Sequence, residues 1–389
     1  MLISRVKLKN WRNFREVDSP LFDVTYLIGA NATGKSNFLD VFRFLRDLAK
    51  TQGGGLQGAI ADRRGLSKLR CLHARKDTEV HIEVQLSEQT ADSPPLWRYH
   101  LGFKSEAVGA NRPIVSAEEV FRLRGDDEEC ILKRPDDEDL GDRERLTRTS
   151  LEHPQTNARF REIAEHFANI TYLHLVPQLL KFGDDIGGRR LENDPFGQGF
   201  LERVASVSDR VRNSRLGRIK AALARTIPQF EDLRFDRDKV TGRPHLEAKY
   251  KHHRPLAGWQ REDQFSDGTL RLIALFWLLL EGDELLLLEE PELSLNEEIV
   301  RQLPVLIDGA RRSTKRRARQ VIISTHSQAL LENKGIDGRG VLRLERNKEG
   351  STIHLPSEVD LELIEDGASP AEVLLQQTHR QVSKEMALV

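Results

Sequence analysis

Cysteine is almost missing. Cys71 and Cys130 are the only two among 389 residues. Two cysteines build neither a disulfide framework nor a four-cysteine zinc site, and their scarcity fits a reduced cytosol. An excess of one charge is missing too. Lys and Arg number 60 against 61 Asp and Glu, a formal net charge of −1. That balance excludes a basic coat for nucleic acid and an acidic mimic of it, but not a local basic groove. Long apolar runs are absent. The most apolar stretch, Leu272–Leu280, is parted from Leu285–Leu288 by Glu281, Asp283 and Glu284. Neither piece is long enough to span a bilayer, so no membrane contact is expected. The opening residues set Arg5, Lys7 and Lys9 between apolar neighbours. This is the alternation of a half-buried strand, not the core of a signal peptide. Repeats and sustained heptads are also lacking.

What is present reads as alternating strands and helices. Leu2–Leu8 and Val24–Ile28 are strands, the second stopping at Gly29, and an amphipathic helix runs from Lys35 to about Lys50. Thr51–Gly58 reads as a flexible loop. Glu79–Leu86, Leu96–Phe103, Ile114–Leu123 and Cys130–Lys133 alternate as an antiparallel sheet would. Asp126–Arg145 is dense in charge and reads as an exposed loop. Asn157–Ala168 is helical, Ile170–Val176 a strand, and Phe200–Thr226 mainly helical. Two hairpins follow, Leu233–Val240 with His245–Tyr250 and Val341–Arg346 with Ser351–Leu355. Between them lie a buried helix and strand over 272–288, a helix at Glu297–Ala310 and a strand at Val321–Ser324.

Two segments carry chemistry. Gly29-Ala30-Asn31-Ala32-Thr33-Gly34-Lys35-Ser36, followed by Asn37, satisfies G-x-x-x-x-G-K-[ST] between a strand and a helix. Gly29 and Gly34 let the loop wrap phosphates with its N–H groups, and the helix adds its positive end. Lys35 reaches the β- and γ-phosphates of ATP, and the Ser36 hydroxyl ligates Mg2+. Glu284–Glu292 (ELLLLEEPE) is a leucine strand that delivers acid at its C-terminal edge, where open α/β sheets bind ligands. Glu289 is placed to hold Mg2+ through water, and Glu290 to orient and polarise the attacking water. Read alone, the acids are simply where a buried strand reaches solvent. Beside the glycine loop they complete a site.

Together these motifs resemble the ABC-type ATPase head. Phe265–Leu270 (FSDGTL) is similar to its signature loop, with Ser266, Gly268 and Thr269 facing the γ-phosphate held by a partner subunit. Pro291–Asn296 matches the D-loop, and Ser324-Thr325-His326-Ser327 the switch histidine. LKNWRNF at 8–14, FSDGTLRL at 265–272, LLLLEEPELSLN at 285–296 and ISTHS at 323–327 look like the RecF/SMC-like ATPases. That group includes the ATPase portions of OLD-family nucleases and many bacterial defence ATPases. The resemblance implies an α/β fold: an ABC-type P-loop NTPase head with an antiparallel β subdomain and a helical signature lobe. It places Arg12 and Asn13 close to the nucleotide and makes Gln178 a Q-loop candidate that senses Mg2+. It assigns catalysis to Glu290, His326 and Lys35. It departs at Glu289, where many heads have Asp, and at Asn296, in place of an acid or His. Both departures are compatible with slow turnover.

The expected divisions are an ATPase lobe at 1–150, a helical lobe with hairpin at 151–264, the signature-to-switch half at 265–356 and a tail at 357–389. The interval from Lys35 to Ser266 holds no coiled coil, and too few residues follow His326 for a nuclease domain of roughly 100 residues. The resemblance therefore implies a Mg2+-dependent ATPase, a homodimer or higher oligomer that sandwiches ATP and acts on a separate effector such as a nuclease or toxin, in anti-phage defence. A RecF-like repair clamp on DNA and a nucleotide-gated scaffold with little hydrolysis are the alternatives. Arg311–Arg319 holds six basic residues. It reads either as a contact to the backbone of DNA or RNA or as a solvated helix end. The acidic run Asp126–Asp142 is an exposed loop or a dock for a basic partner. The tail from Ala371 has near-helical apolar spacing through Val382 and Met386. His73, His81, His100, His252 and His253 show no metal-ligand spacing and read as structural or surface residues.

Overall fold

The computed structural model describes every residue except 51–52, 75–76, 107–110, 187–189, 252–257, 283, 313–317 and 376–389. His252, His253, the middle of the basic run and the tail from residue 376 thus lie outside the described residues. Strands β1 (Leu2–Trp11) and β2 (Phe14–Pro20) form a hairpin that turns at Arg12-Asn13. Strand β3 (Val24–Ile28) then runs into the glycine loop and the helix Lys35–Ala49. Strands β4 (Val80–Ser87), β5 (Pro95–Ser105), β6 (Pro113–Arg124) and β7 (Asp127–Arg134) extend the hairpin into one antiparallel sheet, in the order β2-β1-β4-β5-β6-β7. After β8 (Thr171–Leu173), helices Pro177–Ile186, Phe200–Ser206 and Asp209–Thr226 lead to a small sheet of β9 (Phe230–Arg237), β10 (Pro244–Tyr250) and β11 (Gln260–Arg261).

The helix Asp267–Leu279 leads to β12 (Leu286–Glu289); β13 (Val321–Thr325), β14 (Val341–Asn347) and β15 (Gly350–His354) follow. These join β3 and β8 in a central sheet ordered β15-β14-β3-β13-β12-β8, parallel except at β15. Parallel strands are covered on both faces, which is why β3, β12 and β13 read as unbroken apolar runs. Segments from residues 1–150, 151–264 and 265–356 all meet in this sheet. The helix Lys35–Ala49 lies between the two large sheets, so twelve of its fifteen residues are buried. One core joins it to Trp11, Phe14, Trp97 and Phe103. A second core covers the other face of the central sheet with the helix Asp267–Leu279, around Trp277 and Phe276.

Three expectations are corrected and one strand is added. Phe14–Pro20 is a strand that the pattern concealed, because only Phe14, Val17 and Ser19 turn inward. The loop expected over Thr51–Gly58 becomes the helix Gly55–Ala61 from Gly55 onward. The strand expected over Ile170–Val176 shortens to β8. Asp126–Arg145 is no loop: it forms β7, the helix Asp137–Gly141 and a turn at Arg143–Thr147. Its charge is partly internal. Arg134 donates to Glu118 at 3.1 Å and to both oxygens of Asp139 at 2.8 Å, and both carboxylates are fully buried. The Ser150 and Leu151 N–H groups and the Tyr99 hydroxyl also donate to Glu118.

Burial alone would push the Asp139 carboxyl up, but the hydrogen bonds from Arg134 win and hold it down at about 2. Its contribution to stability is therefore full above the ordinary carboxyl value and is lost as the pH falls towards 2. Arg134→Met takes the cation from buried Glu118, leaves buried Asp139 only the partly exposed Arg145 at 3.2 Å, and is expected to cost about 3–5 kcal/mol at pH 7. Urea unfolding of the parent and variant measures this. The Arg134→Met, Glu118→Gln, Asp139→Asn triple variant should recover part of the loss.

Candidate nucleotide site

The glycine loop is built by close approaches. Gly29 has φ +151°, and a side chain there would run into the Leu344 carbonyl. Gly34 has φ +103°, and a side chain there would fall on the Asn13 amide. Both positions need glycine. Asn13 fastens the loop from the β1–β2 turn, donating to the Thr33 carbonyl at 3.1 Å and the Ser351 hydroxyl at 2.6 Å. It accepts from Asn37 at 2.7 Å. Asn31 and Ala32 are exposed at the tip, while Thr33 is buried and donates back to Ala30. Gly34 precedes the helix with no side-chain cap and no acid in the first turn. The first N–H groups of that helix are thus available to an anion, and phosphate fits. Lys35 folds over the loop, its ammonium donating to the carbonyls of Gly29 at 2.8 Å and Ala30 at 3.1 Å. Burial pushes this ammonium down, opposed by Glu290, Glu292 and Glu289.

The acids arrive from β12. Its register sets Glu289 beside Ser324, so both strands end at one edge. The Ser36 hydroxyl donates to Glu289 Oε1 and the Tyr172 hydroxyl to Glu289 Oε2. Burial first, then the Glu289 charge, pushes the Tyr172 phenol up, so it keeps the proton it donates. Glu290 follows in the left-handed region at φ +47°, its N–H bonded to the Ser324 carbonyl at 3.0 Å. Its carboxylate lies 3.2 Å from His326 Nδ1. Glu292 is buried, accepting from the Thr325 hydroxyl at 2.6 Å, and its second oxygen has no partner. The buried Ser324 hydroxyl has none either. A hydroxyl, a carboxylate and unpartnered oxygens nearby are the hard donors that Mg2+ takes when phosphates complete its shell. Among the described residues no three His, Cys, Asp or Glu gather as a self-sufficient metal cage.

The signature segment is bonded within its own helix and packed on the D-loop. Ser266 is exposed and caps its helix, accepting from the Thr269 N–H at 3.1 Å. Gly268 presses on the D-loop, where a Cβ would lie 2.7 Å from the Ser294 carbonyl. No described hydrogen bond joins Ser266, Gly268 or Thr269 to residues 29–37.

Residues 24–332 match the family described as "AAA domain, putative AbiEii toxin, Type IV TA system". The chain belongs to this family. No match to a curated protein is found. Among solved structures, the SMC head bound to the C-winged helix domain of ScpA is 16% identical with a TM-score of 0.51, over 92% of this chain and 99% of that one. The SMC head domain of Thermotoga maritima is 14% identical with a TM-score of 0.48, over 92% and 100%. The Pyrococcus furiosus head with an extended coiled coil, bound to the C-terminal domain of ScpA, is 15% identical with a TM-score of 0.49, over 94% and 99%. The fold of this AAA-domain protein is thus the mixed α/β P-loop ATPase head of SMC type.

Three placements in the AAA-domain head differ from expectation. Arg12 turns from the loop to the helix flank, with Nε 2.9 Å from Asp40, while its neighbour Asn13 holds the loop. Gln178 is exposed on the first turn of the helix Pro177–Ile186, and no described hydrogen bond brings it to Ser36 or Glu289. Tyr172 reaches Glu289 instead. The basic run is split: Arg311 is buried against Asp308 and Asp23, and Arg319 donates to the carbonyls of Leu278, Glu281 and Glu284. Those two cations hold the fold and are withheld from any nucleic acid. No described helix is long and apolar enough to cross a membrane.

Tyr172 and Arg271 escaped the motifs. Arg271 donates to the carbonyls of Glu290 and Leu293, tying the signature helix to the turn that presents Glu290. Its signal was a lone charge in an apolar helix, which must be partnered when buried.

Proposed function

We propose that this chain is an ATPase head that dimerises head to tail around ATP and uses hydrolysis to control a separate effector, in defence against phage. The observation that carries it is a division of parts. Lys35, Ser36, Glu289, Glu290 and His326 stand at one sheet edge, while the signature serine is exposed and bonded away from them. An exposed helix end with no described hydrogen bond to its own glycine loop is suited to the phosphates held by a second copy.

In the proposed reaction, water attacks the γ-phosphorus in line, and the bond to the β–γ bridging oxygen breaks. Glu290 orients that water and draws its proton, and His326 sits against Glu290. Lys35 leaves the loop carbonyls for phosphate oxygens. Mg2+ held by Ser36 and Glu289 would supply further neutralisation of the phosphate charge. The AbiEii description of the family is compatible with a defence role. The SMC head in the similar structure carries a winged-helix domain of ScpA, a precedent for a head that engages a protein partner.

Phosphate release from ATP by the purified chain is expected to require Mg2+ and to fall by about 10²-fold or more in Lys35→Met, which keeps the apolar stem and removes the charge. A parent without Mg2+-dependent release would sink the ATPase reading. For the effector, a protein co-purifying with the parent in ATP should be lost in the same variant.

A further inference from the structure

Glu289 has both oxygens engaged before any cation is considered, one by Ser36 and one by Tyr172. The register explains how. Tyr172 on β8 stands beside Leu287 on β12, and residues two apart on a strand share a face. Tyr172, Leu287 and Glu289 therefore look to the same side, towards the helix Lys35–Ala49. Two turns along that helix from Ser36, the Arg43 guanidinium lies over the Tyr172 ring, 4.2 Å from its centroid. Tyr172 is 7% exposed, covered on the sheet by that helix. Arg43 Nε is buried without a hydrogen-bond partner and Nη1 only approaches Asp40 at 3.9 Å, so the guanidinium is placed by the ring together with that loose ion pair.

We infer that Tyr172 is the positioning residue for the Glu289 carboxylate, and that Arg43 clamps Tyr172 in that role. A carboxylate at a strand end can swing about its last torsion. The Tyr172 hydroxyl pins Oε2, which leaves Oε1 aimed at the Ser36 hydroxyl and at whatever cation shares it. Such outer partners orient a ligand and set its affinity for the metal.

The inference rests on the assignment of Glu289 as a metal carboxylate, so the test separates the two. Mn2+ binding to the protein–ATP complex is read by electron paramagnetic resonance, and ATP binding in EDTA by fluorescence of a labelled ATP. Tyr172→Phe keeps the ring under Arg43 and loses only the hydroxyl. It is expected to weaken Mn2+ about tenfold while changing ATP affinity in EDTA by less than about twofold. Arg43→Met, which frees the ring, should weaken Mn2+ about threefold. A merely structural tyrosine would change neither Mn2+ nor ATP affinity in the phenylalanine variant. Mn2+ affinity unchanged in Tyr172→Phe but lost in Glu289→Gln would overturn the inference and leave the carboxylate assignment standing. Mn2+ affinity unchanged in Glu289→Gln would overturn both.

Discussion

Glu290→Gln is expected to lower ATP turnover by about 10²–10⁴-fold, the range for loss of a positioned general base. The substitution is narrow. Glu290 sits in the left-handed region, and its place is set by main-chain bonds: its N–H to Ser324 and its carbonyl from Arg271. Glutamine keeps both bonds, keeps the length of the side chain and can still meet His326. What it loses is the charge that draws a proton from water. Lys35, Ser36 and the glycine loop are untouched, so nucleotide binding should persist. If hydrolysis is what releases the dimer, the variant should accumulate as an ATP-bound dimer, seen by light scattering on a sizing column. A variant that stays monomeric in ATP would contradict the sandwich. Turnover equal to that of the parent would show that another group handles the water.

The parts of the site legible in the sequence are those in which a short contiguous segment makes its own geometry. Strand, glycine turn and helix over 24–49 declare a phosphate loop because its N–H groups and its helix end come from neighbouring residues. The leucine run ending at Glu289 and Glu290 is legible for the same reason. Contacts that depend on register between distant strands were not. Tyr172 meets Glu289 only because β8 pairs beside β12, and 117 residues separate them. The charged stretch after Asp126 reads as solvated, since nothing local shows that Glu118 on β6 waits beside Arg134 on β7. The basic run misled in the same way. Arg319 is consumed by carbonyls where the helix Asp267–Leu279 ends, a fact of tertiary packing. The signature helix was read correctly as buried, yet the one buried charge in it, Arg271, proves to be the strut behind Glu290.

Two inactive variants mixed together are expected to regain activity, and this outcome separates a shared site from a self-contained one. Lys35→Met disables the glycine loop. Ser266→Asp disables the signature: aspartate is a good helix cap and can keep the bond to the Thr269 N–H, so the helix survives, but its charge repels the triphosphate. In a head-to-tail dimer each site takes its loop from one copy and its signature from the other. Either variant alone therefore has two defective sites. A mixed dimer concentrates both defects in one site and leaves the second with an intact loop and an intact signature. Random pairing makes half of the dimers mixed, so the mixture should recover about a quarter of the parent phosphate release. Equal amounts of each variant alone, at the same total concentration, give the baseline. Recovery must grow with total concentration, since mixed dimers form only by association. A mixture no more active than its components, with both variants folded and Ser266→Asp still binding ATP, would place the whole reaction within one copy.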